Sequence, residues 1–177
     1  MDNDDLKALI RTIPDFPRPG IQFRDITTLL LDGPGFAAAI ERLAALVGEA
    51  PDLIAGIEAR GFAIGAALAQ RLGTGFLLIR KAGKLPGATI AEDYALEYGS
   101  DRLVMHVDAC APGAKVLLVD DLIATGGTAL ASMRLIRRAG GTVAAAAFVV
   151  DLPDLGGSAL LRREGFPVVS LLGFEGD

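Results

Sequence analysis

Two apolar rhythms alternate along this chain, and their order predicts an architecture. Short continuous apolar runs occur at residues 53–57, 76–79, 116–119, 143–150 and 167–172. Runs of that length suit strands buried on both faces of a parallel sheet. Between them, apolar residues recur every three or four positions, which is the period of a helix. Phe36, Ile40, Leu43 and Val47 do so over 35–47, with Glu41 and Arg42 on the opposite side. Residues 61–71 are nearly all apolar and predict a helix buried on most sides. Leu130, Met133 and Ile136 mark a helix over about 129–139 that stops at Gly140-Gly141. A short helix is expected at 158–163, after the breaker-rich stretch 151–157, and a first helix carrying Leu6, Leu9 and Ile10 is capped by Asp4 or Asp5. Strands alternating with helices predict an α/β fold around a mostly parallel sheet of about five strands.

Two stretches break the rhythm. Pro14, Pro17, Pro19 and Gly20 give a rigid, irregular arm that continues over 21–27. Residues 88–99 read as a loop or weak hairpin flanked by Gly83, Gly87 and Gly99, placed to close over a site and exclude water. A returning strand at 102–107 follows, where His106 is an edge residue rather than a catalyst.

Composition narrows the classes. A chain of 177 residues with 51% hydrophobic content fits one domain with one real core. A net charge of −5 argues against a nucleic-acid surface. One Cys excludes an internal disulfide, and one His excludes a histidine-rich metal site. The acidic N-terminus lacks an apolar signal segment, and no long uncharged apolar stretch is present, so a cytoplasmic protein is expected.

The candidate chemistry lies where apolar runs end. The run at 116–119 leads into Asp120 and Asp121, then into the small-residue turn Ala124, Thr125, Gly126, Gly127 and Thr128, and then into a helix. Peptide N–H groups of such a turn, with the open N–H groups of the helix start, form a cup for an anion. No Lys follows the glycines, so the turn is not a nucleoside-triphosphate loop. A phosphate monoester fits the cup, and the two carboxylates suit hydroxyls of the sugar that carries it. The alternative is a tight turn whose Asp residues only cap the helix. Adjacent residues on an extended chain face opposite ways, which leaves one Asp free for a structural role.

The run at 53–57 ends in Glu58, Ala59, Arg60 and Gly61, either a second anion site for a diphosphate with its metal or a salt-bridged turn. The run at 76–79 ends in Arg80 and Lys81, with Lys84 close behind. These cations either meet a highly charged leaving group or belong to a solvated loop. On the arm, Phe23 and Arg24 either hold a flat heterocycle or serve the core and pair with Asp25. A sugar activated by diphosphate, reacting with a ring nitrogen, unites these subsites. The nitrogen must lose a proton, and Glu97 in the closing segment is the candidate acceptor.

With those residues in view, the stretch 116–129 resembles the sugar-diphosphate signature of the type I phosphoribosyltransferases. The stretches 16–27, 56–62, 80–87 and 94–99 resemble the adenine-using members of that family, and the likeness spans about residues 5–174 with motif order and spacing kept. The resemblance implies the type I fold: one domain over 1–177, a small hood that takes residues 14–30 for the base, and a flexible loop or hairpin at 83–105. It implies that adenine and 5-phosphoribosyl 1-diphosphate give AMP and diphosphate, with Mg²⁺ held mainly by the substrate diphosphate, as a step of purine salvage. It assigns Glu97 to proton transfer on adenine, and Phe23 and Arg24 to the base pocket, with the backbone at Arg24 reading the ring edge. Arg60, Arg80 and Lys84 serve the diphosphate, with Glu58, Lys81 and Tyr98 also in the substrate site. Residues 124–128 hold the 5-phosphate, and Asp120 and Asp121 the ribose hydroxyls. It further implies a homodimer, with Arg80 near the partner's site, and no nucleic-acid or membrane partner. Rivals are a transferase for oxopurines, which would need a donor aimed at the 6-oxo group that no residue here matches, and a nucleic-acid-binding regulator, which the net charge disfavours.

Overall fold

The computed structural model describes residues 3–95 and 100–176. Helix α1 (Asp4–Lys7) is followed by strands β1 (Arg11–Pro14) and β2 (Gln22–Asp25), then α2 (Thr27–Leu31) and α3 (Gly33–Val47). Strand β3 (Leu53–Ile57) leads to α4 (Arg60–Leu72), β4 (Gly75–Lys81), β5 (Thr89–Ala95) and β6 (Ser100–His106). Then come β7 (Lys115–Ile123), α5 (Gly127–Arg138), β8 (Thr142–Asp151), a 3₁₀ turn, α6 (Gly157–Arg163) and β9 (Val168–Gly173).

The main sheet has seven strands in the order β5-β6-β4-β3-β7-β8-β9. Its five strands β4, β3, β7, β8 and β9 run parallel, the set expected from the apolar runs. The other two, β6 and β5, join antiparallel at one end. The segment expected as a loop or weak hairpin therefore extends the sheet, and His106, at the end of β6, pairs on one side only, with Thr89. Its Nε2 lies 2.7 Å from the carbonyl of Pro86. The arm forms a separate two-stranded antiparallel sheet from β1 and β2.

The central strands alternate their apolar side chains between two cores. Ile54, Leu117 and Val119 pack with Leu43, Ile64 and Leu68 of α3 and α4. Ala55, Ile57, Val116 and Leu118 pack with Met133, Leu135 and Ile136 of α5. A large aliphatic side chain fully buried in this way contributes about 1.5–3 kcal/mol. The expectation of a helix buried on most sides fails for α4, whose outer face exposes the small residues Ala63 and Ala66. Helix α1 takes Asn3 rather than Asp4 or Asp5 as its N-cap, and Asn3 spends its Nδ2 on the carbonyl of Leu171, 2.8 Å away.

Register places the chemistry. Ile57 pairs with Ile79, and Gly56 pairs with Val119. The next residues, Glu58, Arg80 and Asp120, thus emerge together at the carboxyl edge of three adjacent parallel strands, where open α/β sheets place their ligands.

Candidate active site

A cavity of about 450 Å³ opens at this edge. Its wall brings together Glu58, Arg60, Lys81, Asp120, Asp121, Ala124, Thr125, Gly126, Gly127 and Thr128. Phe23, Arg24, Arg80 and Lys84 do not line it, and Glu97 and Tyr98 lie outside the described residues.

The turn after β7 is held by backbone. Gly126 adopts φ 85°, and a Cβ there would come within 3.0 Å of the Cα of Gly157. Gly157 is tighter still: a Cβ on it would stand 2.3 Å from the carbonyl oxygen of Ala124 and 2.8 Å from the nitrogen of Gly126. Its own N–H donates to that Ala124 carbonyl at 2.9 Å. The start of α6 thus presses against the turn, and Ser158 fixes it by donating to the buried carboxylate of Asp151 at 2.7 Å. Helix α5 has no side-chain cap at Gly126, and its first residues, Gly127 to Ala129, line the cavity, so that among the described residues no side-chain cap occupies its N-terminus. That is the geometry of an anion cradle.

The two carboxylates beside the cradle differ. Asp121 is buried and pairs with the guanidinium of Arg60. Asp120 accepts the Asp121 N–H at 2.9 Å. Burial, and then the charge of Asp121, push the Asp120 carboxyl well above the usual carboxylate range. Gly61 lets this pair approach α4, because a Cβ on it would stand 2.7 Å from Asp120 Oδ1. Arg60 also lies over the ring of Phe23, 5.5 Å from its centroid, and so joins the hood to the carboxylates.

Arg60, Arg80 and Lys81 each have a carboxylate partner. Glu58 accepts from Arg80 Nε at 3.1 Å and from the Lys81 N–H at 2.8 Å, and the peptide between Glu58 and Ala59 is cis. Arg80 Nη1 reaches the carbonyl of Lys84 at 2.8 Å, which ties the following turn to the strand end. Lys81 Nζ meets Asp101 at 3.0 Å, and that hydrogen bond raises the Lys81 pKa and lowers that of Asp101. Tyr94 donates to the same Asp101 at 3.2 Å, and burial raises its phenol pKa. Tyr94 and Asp101 line the cavity without having been singled out from sequence. The signal was weak, since they face each other only once β5 and β6 pair.

On the hood, Phe23 is half-buried and meets Phe16 edge-on, with centroids 5.2 Å apart. Arg24 does not pair with Asp25. Its Nη1 donates to Thr12 Oγ1 at 2.6 Å, whereas Asp25 takes Arg11 Nε at 3.0 Å and the Thr27 N–H at 3.0 Å. Among the described residues no group of three or more His, Cys, Asp or Glu could cage a metal ion. The carboxylates that do face the cavity suit a cation that arrives with a phosphorylated ligand, since Mg²⁺ commonly takes one or two carboxylates plus substrate phosphate oxygens.

Comparison with known proteins gives this arrangement a context. The phosphoribosyl transferase domain family matches residues 27–159. The chain is 60% identical over 174 residues to an adenine phosphoribosyltransferase of Sphingopyxis alaskensis, covering 98% of this chain and 95% of that one. It superposes on the crystal structure of adenine phosphoribosyltransferase from Thermoanaerobacter pseudethanolicus with a TM-score of 0.93 and 48% identity, covering 98% and 100% of the two chains. It is also similar to the Saccharomyces cerevisiae adenine phosphoribosyltransferase complexed with D-2,5-dideoxy-2,5-imino-altritol 1,6-bisphosphate and adenine (TM-score 0.89, 37% identity, 96% and 97% covered).

Proposed function

The chain belongs to the phosphoribosyl transferase family, alongside the adenine phosphoribosyltransferases, and from that premise we propose how its residues act. The reaction transfers a 5-phosphoribosyl group from 5-phosphoribosyl 1-diphosphate to N9 of adenine and yields AMP and diphosphate. The observation that carries this reading is the cradle at 124–128, directly beside Asp120 and Asp121 on one cavity wall.

The cradle takes the 5-phosphate on backbone N–H groups and the hydroxyls of Thr125 and Thr128. Asp120 and Asp121 receive ribose hydroxyls. Arg60, Arg80, Lys81 and Lys84 meet the diphosphate, with Glu58 holding Arg80 in place. Adenine lies against Phe23, and the backbone at Arg24 reads its edge. The C1–oxygen bond to diphosphate breaks as the N9–C1 bond forms, and the leaving group takes the electron pair. The N9 proton passes to Glu97. When Mg²⁺ accompanies the diphosphate, it would supply charge neutralisation to that leaving group. Support for Glu58, Arg60, Lys81, Asp120, Asp121 and residues 124–128 is the cavity they line together, and for Phe23, Arg24, Arg80, Lys84 and Glu97 the resemblance.

A purine-salvage role, a homodimer and a cytoplasmic location complete the reading. Among the described residues no helix is long and apolar enough to cross a membrane. The test is AMP formation from adenine and the sugar diphosphate, with and without Mg²⁺, and with hypoxanthine, guanine and xanthine as competitors. Magnesium-dependent AMP formation that the oxopurines do not inhibit is expected. Absence of AMP overturns the reading, and full turnover with a chelator present overturns the role of the metal.

A further inference from the structure

Nothing in the reaction above uses Phe174, yet it touches the hood. Phe174 follows β9, and its N–H donates to the carbonyl of Asp151 at the carboxyl end of β8, 3.1 Å away. Its half-buried ring carries two cations. Arg24 lies with its guanidinium carbon 4.7 Å from the centroid, and Lys7 with its ammonium also at 4.7 Å. Lys7 is fixed in turn by donating to the carbonyl of Gly173 at 2.7 Å. On its far side Arg24 donates to Thr12 of β1. Its Nε is buried with no hydrogen-bond partner among the described residues, so the ring and the Thr12 hydroxyl are what locate the guanidinium.

We propose that Phe174 is a positioning residue for the purine, acting through Arg24, with Thr12 as the second anchor. Strand β2 carries both Phe23 and the backbone that reads the base edge, and it belongs to a sheet of only two strands. Such a sheet has little stability of its own. The Arg24 side chain is a lever from that strand to the main sheet, and Phe174 is where the lever rests. Cation–π contact of a partly desolvated guanidinium is strong enough to matter for placement. The relay meets the cradle's support only through the Phe174 backbone, whose N–H donates to Asp151; a side-chain substitution keeps that bond, so loss of the ring moves the base subsite more than the phosphate subsite.

The inference rests on the base subsite assigned under the proposed function, and its test separates the two. Phe174→Leu keeps apolar bulk and removes the π face, Phe174→Tyr keeps the face, and Thr12→Val removes the exposed hydroxyl anchor without touching the core. Steady-state constants for both substrates are measured for each purified variant, with thermal unfolding as the check on folding. The expected result is a KM for adenine raised on the order of tenfold in Phe174→Leu. Severalfold in Thr12→Val and recovery in Phe174→Tyr are expected, with the KM for the sugar diphosphate within about twofold throughout. Should Phe174→Leu not fold, Thr12→Val alone decides. An unchanged adenine KM, or equal rises in both KM values, overturns the positioning role alone. Absence of AMP from the unsubstituted protein overturns the base subsite, and this role with it.

Discussion

The cradle and the hood sit at the same edge of one sheet and are built by different means. The cradle is backbone against backbone: the turn at 124–128 follows a central strand, rises into a helix and is pressed by Gly157 at distances no side chain would permit. The hood is a two-stranded sheet joined to the rest by side chains, through Arg60 on Phe23, Arg24 on Phe174, and Thr28 Oγ1 donating to the Leu9 carbonyl at 2.6 Å. A phosphate is the same in every member of a ligand class, so a rigid backbone cup suits it. A base must be told from its neighbours by ring-edge groups, and an element held by a few replaceable contacts can be retuned without disturbing the cup.

The contrast makes claims that experiments can break. The largest effect is expected at Glu97, two residues after β5, whose last residue has its carbonyl 3.8 Å from where a Cβ on Gly127 of the cradle would stand. Glu97→Gln should lower kcat by about 10²–10⁴ while sparing sugar-diphosphate affinity. Equal loss of both counts against a proton-transfer role. Next comes the cradle. Gly157→Val places a branched side chain against the Ala124 carbonyl and should cost about 2–4 kcal/mol of stability together with at least tenfold in the KM for the sugar diphosphate. An unaltered melting temperature and KM would mean that the turn tolerates displacement and is not the rigid partner.

The carboxylates are expected to act more gently. Asp120→Asn with Asp121→Asn should raise the KM for the sugar diphosphate roughly tenfold, as charge-assisted hydrogen bonds are lost. Asp120→Asn alone has a second signature. Its folded pKa is raised, so the ionised form that prevails at high pH disfavours the fold, and the stability it gives at low pH fades as pH rises through the folded value. Removing the charge should therefore raise the melting temperature by a few degrees at neutral pH, and a fall instead would contradict the burial argument.

The smallest effect belongs to the hood. Burial raises the Asp25 pKa, but hydrogen bonds from Thr27 and Arg11 outweigh it and hold the carboxyl at about 2. A depressed pKa contributes stability that is present above the unfolded value of 3.8 and is lost as pH falls through about 2. Asp25→Asn should cost about 1–2 kcal/mol at neutral pH and flatten the stability profile between pH 4 and pH 2. Chemical denaturation across that range checks both, and an unflattened profile would detach Asp25 from the acid sensitivity of the hood.

The same contrast explains what the sequence made legible. The strand at 53–57 was read at its observed bounds, because an apolar run closed by Pro51 and Glu58 has no other economical conformation. The carboxylate-and-glycine turn was readable because its parts are contiguous. Strands β1 and β5 were not, since Arg11–Pro14 is short and exposed and Thr89–Ala95 carries Glu92 and Asp93 side by side, so neither shows a clean period of two. The helix α2 (Thr27–Leu31) is one turn long and left no periodic trace. Asp101, Gly157 and Phe174 escaped because their meaning lies in partners far along the chain, Lys81, Ala124 and Arg24, which local pattern does not connect.

The pairing of Arg60 with Asp121, Arg80 with Glu58 and Lys81 with Asp101 has a bearing on how the pocket greets a polyanion. An incoming ligand meets Arg60, Arg80 and Lys81 as three neutralised couples in a net-acidic protein. To dock, it must coax a guanidinium or ammonium away from its resident acid or arrive with a divalent escort of its own. Affinity should then follow the supply of that escort far more steeply than the background concentration of monovalent salt.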